Sequence, residues 1–171
     1  IHMSKKFILD GTLEWAKLTP ATMDTFEVHM KKSEGAFTVN FYLDDSSDMD
    51  KMIAAGVPEA QLGHATFREG NTDYGSGIYL KAKRPNKGPY VDKDGNDVFG
   101  GPPKIYNHTN GPSSELWDDQ EDGMIGNGTK AKMIIEFWKS KNGSGLRLQE
   151  LAITELVEYT EEEGDNVSLA G

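Results

Sequence analysis

Between Lys81 and Tyr159 this 171-residue chain sets cations and aromatic rings on alternating positions. Tyr79 shares a strand face with Lys81 and Lys83, and Arg84 follows directly. Trp138 shares a face with Lys130 and Lys132, and Arg147 stands on the returning segment. Tyr90 and Tyr106 fall in the connections between. Rings stack on bases of any identity, each stack being worth about 1–3 kcal/mol. Ammonium and guanidinium groups beside them supply a salt-dependent attraction to phosphates. The candidate chemistry is capture of an unpaired nucleic-acid strand by Tyr79, Lys81, Lys83, Arg84, Tyr90, Tyr106, Lys130, Lys132, Trp138 and Arg147. The same spacing fits rings that cover a second core, since strands often pack on both faces.

Catalytic and metal-binding alternatives find little support. With no cysteine, disulfides and Cys-ligated zinc are excluded. His29, His64 and His108 are scattered, with no pair at ligand spacing. Ser113-Ser114 has no Ser-His-Asp context. The Gly126-Asn127-Gly128-Thr129 run lacks the Lys-Ser/Thr pair of a phosphate loop and precedes a strand. Asp92-Lys93-Asp94-Gly95-Asn96-Asp97 opens like a calcium loop, but its sixth position is Asp97 rather than Gly and its twelfth is Pro103 rather than Glu. A surface turn is the better reading. No enzymatic activity, cofactor or metal is expected.

The net charge of −10 opposes phosphate binding until its distribution is considered. Seven acids lie between Glu150 and Gly171 and five between Glu115 and Asp122, and neither segment has a Lys or Arg. Setting those twelve aside leaves sixteen acids against eighteen bases. The acidic segments read as solvated tail and loop, and the remaining body has room for a basic surface. Ile1-His2 reads as a cloning scar ahead of Met3. No apolar run approaches the length of a bilayer span.

The elements that must position these residues are mostly strands. Phe26 to Lys31 alternates apolar and polar and reads as a strand, joined through Ser33-Glu34-Gly35 in a hairpin to a second strand bearing Phe37, Val39, Phe41 and Leu43. Asp44 to Asp48 starts a short helix, about residues 46–56, with Met49, Met52 and Ile53 on its core face. Gly77–Arg84 is a strand with Ile78, Leu80 and Ala82 on one face. Residues 85–103 form a long insertion with a small hairpin at Asp94-Gly95. Ile105-Tyr106 starts a short strand, and a loop follows to Gly123. Lys130–Lys139 is a strand with Ala131, Met133, Ile135 and Phe137 on its apolar face. Asn142 to Gly145 turns into the return strand, where the apolar phase slips at Gln149-Glu150 as a bulge would make it do. The whole predicts a mainly β protein: a five-stranded, partly open, OB-fold-like barrel with one short helix and long loop insertions. One domain spans 1–159, and 160–171 is an acidic, flexible tail.

The stretch from Gly77 to Tyr159, about half the chain, resembles the single-stranded-DNA-binding proteins of tailed bacteriophages. The resemblance is carried by Ile78-Tyr79-Leu80-Lys81-Ala82-Lys83, by Pro89-Tyr90-Val91-Asp92 with Asp94-Gly95, and by Ile125-Gly126-Asn127-Gly128-Thr129-Lys130. It continues through Gly143-Ser144-Gly145-Leu146-Arg147-Leu148 into Ala152-Ile153-Thr154-Glu155-Leu156-Val157. It implies an OB-fold and a sequence-tolerant role on single-stranded DNA in phage replication and recombination, in the host cell cytoplasm. It also implies an acidic tail that competes with DNA for the groove and contacts a phage DNA polymerase or helicase. No membrane is expected, and a homodimer is allowed. Tails of such proteins often end on an aromatic residue, whereas this one ends Ser168-Leu169-Ala170-Gly171. The competing reading is a β-rich phage tail or decoration protein that binds no nucleic acid.

Overall fold

The first strand is long enough to belong to two half-sheets at once. A computed structural model describes residues 3–61 and 63–159; residues 1–2, expected to be a cloning scar, and 160–171, expected to be an acidic tail, lie outside the described residues. In chain order the elements are β1 (Met3–Lys17), α1 (Glu27–Ser33), β2 (Ala36–Leu43), α2 (Ser47–Ala54), β3 (Ala60–Gln61) and β4 (His64–Ala65). They continue with β5 (Phe67–Glu69), β6 (Ile78–Pro85), β7 (Lys104–Asn107), α3 (Asp119–Asp122), β8 (Lys130–Ser140) and β9 (Gly143–Glu155). The main sheet runs β5-β6-β2-β1-β8-β9-β7. Residues Met3–Thr12 of β1 pair with β8, and Gly11–Lys17 pair with β2. The two pairings overlap at Gly11 and Thr12, and at Gly11 a Cβ would lie 2.1 Å from the carbonyl oxygen of Tyr42 and 2.6 Å from the Phe41 ring. Only glycine admits so close an approach of neighbouring backbone.

Five long strands, β1, β2, β6, β8 and β9, curl around one core. Leu9, Leu13, Val39, Phe41, Leu43, Leu80, Met133, Ile135, Phe137, Leu148, Leu151 and Ile153 fill it, and Met52 of α2 and Val57 join them. Each such side chain stabilises the barrel by about 1.5–3 kcal/mol of apolar burial. At the seam β6 approaches β9 without a ladder. Arg84 bridges it, donating from Nη1 to the Leu148 carbonyl at 3.2 Å. The second half of β9 takes β7 as a parallel neighbour, with Ile105 opposite Leu151. The architecture is a partly open, OB-like barrel.

Several expected elements hold. The helix near 46–56 is α2 (Ser47–Ala54), the strands expected at 77–84 and 130–139 are β6 (Ile78–Pro85) and β8 (Lys130–Ser140), and the slip at Gln149-Glu150 is real. Ile134 pairs with Glu150 and Ile135 with Leu148, leaving Gln149 as the extra residue. Others need correction. Residues 26–31 are not a strand but belong to α1 and the turn leading into it, and no hairpin joins them to β2. Asp24 Oδ1 accepts from the Phe26 N–H at 3.0 Å, and Glu34 takes the left-handed conformation that ends the helix. The apparent alternation is misleading because Phe26, Val28 and Met30 are exposed rather than facing a core. β1 (Met3–Lys17) is a strand that the sequence pattern leaves unmarked. Three short helices, not one, are present among the described residues.

Candidate nucleic-acid interface

Because the barrel interior takes one face of each strand, the alternate residues point outward, although on β2 Thr38 and Tyr42 are themselves covered. Register fixes their rows. Lys6, Glu136 and Arg147 align across β1, β8 and β9, as do Ser4, Trp138 and Gly145. On the other half-sheet Glu14, Asn40 and Lys81 align across β1, β2 and β6, and Thr38 pairs with Lys83. In an OB barrel the outer face of strands two and three, flanked by the first loop and the last hairpin, is where oligonucleotides bind. Here those parts are β2 and β6, residues 18–35, and the β8–β9 turn.

At the β8–β9 end lies an open groove of about 640 Å3, lined by Pro89, Tyr90, Phe99, Trp138, Ser140, Lys141, Asn142 and Arg147. The hairpin supplies one wall. Trp138 lies over Gly145, where a Cβ would stand only 2.8 Å from the indole, so the glycine lets the ring rest on the strand. The 86–101 insertion supplies the other wall. Its shape depends on Asp97, whose carboxylate accepts from the amides of Gly88 (2.7 Å), Phe99 (3.0 Å) and Gly100 (2.6 Å). Burial works to raise the Asp97 pKa, but those three amides outweigh it and hold the group below the usual carboxylate range. Phe99 is thereby set edge-on to Tyr90, with centroids 5.8 Å apart and planes at 75°. The Arg147 guanidinium lies 4.4 Å from the Phe99 centroid, a cation–π contact, and its Nη1 donates to Glu136 Oε1 at 3.3 Å. Tyr90 is 63% exposed. The groove thus sets the rings of Tyr90, Phe99 and Trp138 beside two cations, Arg147 and Lys141.

The structure sorts the ten sequence-derived candidates into distinct environments. Tyr90, Trp138 and Arg147 converge in the groove. Lys81 and Lys83 are exposed on the outer face of β6. Tyr79 is half-buried on the same face, its ring 5.0 Å from that of Tyr42, which packs against Tyr74 in turn. Lys130 and Lys132 stand on the same face of β8 as Trp138, but six residues of strand put Lys132 about 20 Å from the indole. Both are engaged: Lys132 with Asp10 at 3.0 Å, Lys130 with Asp44 at 3.6 Å and the Thr12 hydroxyl at 2.8 Å. Around Lys130 lies a cleft lined by Asp10, Asp44, Asp45 and Asp48, a surface that repels phosphate. Tyr106 sits on β7 in register with Ala152, away from the groove lining.

Arg84 turns inward, its position on β6 having the parity of Leu80 and Ala82. Its guanidinium donates to the carbonyls of Gly100 (3.1 Å), Gly101 (2.9 Å) and Leu148 (3.2 Å), tying β6 to both the insertion and β9. Burial and then the neighbouring Arg147 lower its pKa, though not enough to discharge a guanidinium.

Sequence reasoning misses Phe99 and Lys141, and also Lys17 and Lys32, which lie close in space to Lys81 and Lys83. Phe99 sits in an insertion without periodicity. Its only local signal is the Asp97-Val98-Phe99-Gly100 order, an acid two and three residues before amides it can cap.

A seven-stranded sheet whose five long strands curl around one core, with a ring-lined groove at its last hairpin, defines an OB-type barrel elaborated by a long insertion between the third and fourth of those strands. No family model matches the sequence, and no curated protein matches it. Among solved structures, the single-stranded DNA-binding protein from bacteriophage Enc34 in complex with ssDNA shares this fold. The TM-score is 0.51 at 12% identity, over 92% of this chain and 88% of that one. The same phage protein determined by itself superposes with a TM-score of 0.48 at 12% identity, over 99% and 88% of the two chains, and its C-terminal truncation with 0.49 at 12%, over 93% and 88%.

Proposed function

We propose that this protein binds single-stranded DNA with little regard for base sequence. The observation that carries the reading is the groove in which Tyr90, Phe99 and Trp138 stand with Arg147 and Lys141. The outer β6 face carries two further exposed cations, Lys81 and Lys83. Rings offer stacking to any base, and cations follow the backbone. Among the described residues, no helix stands at this groove to read base edges in a duplex. The fold shared with a phage protein named for single-stranded DNA binding, and seen with ssDNA, supports the same reading. On it, the protein acts by coating and releasing single strands rather than by catalysis, in phage DNA replication and recombination within the host cytoplasm. A phage polymerase or helicase is the proposed partner for the acidic segment 160–171, with self-association into a homodimer a further proposal.

Fluorescence titration with single-stranded and duplex oligonucleotides at low and high salt tests it. Tryptophan quenching by single strands is expected, with log K falling linearly with log salt. Absence of binding at low salt, or a preference for duplex, refutes it.

A further inference from the structure

A basic corner forms where β1, α1 and β6 meet. Asp24 stands at its centre, with Lys17 Nζ 3.9 Å and His29 Nε2 3.5 Å from Oδ2. The side chains of Asp24 and His29 are only 10% and 15% exposed. From β6, Lys81 acts on both groups and Lys83 on His29, while Lys32 of α1 crowds Lys83. The remaining charges of the helix, Glu27 and Lys31, pair with each other at 2.9 Å on its exposed side. Four ammonium groups (Lys17, Lys32, Lys81, Lys83) against one carboxylate leave three positive charges when the imidazole is neutral.

We propose that this corner seats a phosphodiester of the bound strand and that His29 takes up a proton when the seat is filled. Resting on the single-stranded-DNA reading, this adds a regulatory property to the same surface. In the free protein, burial depresses the His29 pKa, Asp24 opposes this, and Lys83, Lys81 and Lys17 depress it further. The imidazole is therefore neutral at neutral pH. A phosphate over Lys81 and Lys83 offsets the cations that disfavour imidazolium, and Asp24 then stabilises it unopposed. Binding raises the pKa, so by linkage affinity rises as pH falls through the bound-state value. A rise of one pKa unit corresponds to about tenfold tighter binding at acid pH.

The direct test is NMR titration of the His29 ring in the full-length protein, free and saturated with oligothymidylate. It is paired with calorimetry in two buffers of different ionisation enthalpy, which counts protons taken up. The expected result is a higher His29 pKa in the complex, with net proton uptake on binding. In His29→Gln, affinity should lose most of its pH dependence. Tight binding with an unchanged His29 pKa overturns this inference and leaves the single-strand reading intact. No binding at any pH overturns both. Inorganic phosphate alone raising the His29 pKa as far as the oligonucleotide does would support the seat as a simple anion site.

Discussion

Removal of the Trp138 ring separates a binding surface from a packed one. The indole lies half-buried across Gly145, with one face toward the groove that Tyr90 and Phe99 share. Truncating a fully buried Trp costs about 3–5 kcal/mol. A side chain that already keeps a face in solvent should cost Trp138→Ala roughly half as much, about 1.5–2.5 kcal/mol of stability. If a base stacks on that face, binding should weaken by about 1–3 kcal/mol, or roughly 5- to 150-fold at about tenfold per 1.4 kcal/mol. An indole releases no counterions, so the slope of log K against log salt should not change. Anisotropy of a labelled oligothymidylate at several salt concentrations gives affinity and slope together, and thermal unfolding gives stability. An unaltered affinity alongside a large drop in unfolding temperature would mean that Trp138 is a lid on the core. A changed slope would mean that the substitution had disturbed cations rather than a stack.

The other expectations divide the surface further. Gly145→Ala should displace the Trp138 ring without removing it, giving a smaller loss of affinity in the same titration and near-normal unfolding. Lys81→Ala and Lys83→Ala should each weaken binding and flatten the salt slope by about 0.7 for every phosphate left without its cation. Lys132→Ala should change neither, because Asp10 already holds that ammonium; a slope change there would move the DNA path onto β8. Arg84→Ala leaves three carbonyls without their charged donor and should cost on the order of 2–4 kcal/mol in denaturant unfolding. Arg84→Lys should rescue little of this, since one ammonium cannot reproduce the fork. A stability unchanged by Arg84→Ala would show that the seam closes without it.

Legibility in the sequence follows burial. β8 is readable because Ala131, Met133, Ile135 and Phe137 face a core while, Ile134 apart, charged or amphipathic residues face outward. The bulge at Gln149 is readable because it breaks that phase. β1 escapes because one of its inward positions is Gly11, demanded by the bend, which removes a side chain from the pattern where it matters most. α1 reads as a strand because its apolar residues are exposed, so their spacing reports no buried face. The site is half legible. Parity places Lys81, Lys83 and Trp138 on the outer face, and the same parity rule, carried one residue further, points Arg84 inward. The acidic partners of Lys130 and Lys132 come from β1 and the end of β2, far earlier in the chain, so their neutralisation is a fact of topology alone. The groove needs Phe99, which is brought to it by a loop held through backbone amides and leaves little trace in residue type.

The double pairing of β1 has a consequence for synthesis. On the ribosome Met3–Lys17 emerges before either of its partners, and its second half can pair as soon as Ala36–Leu43 follows. Its first half must wait for β8, which begins at Lys130. Partners so far apart in sequence make closure slow. Until it happens, the nascent chain carries an open strand edge, the kind that recruits neighbouring chains. Lys5 and Lys6 lie on that waiting segment, and their charges guard it against intermolecular pairing. The local β8–β9 hairpin needs no such protection, because its two strands leave the exit tunnel almost together.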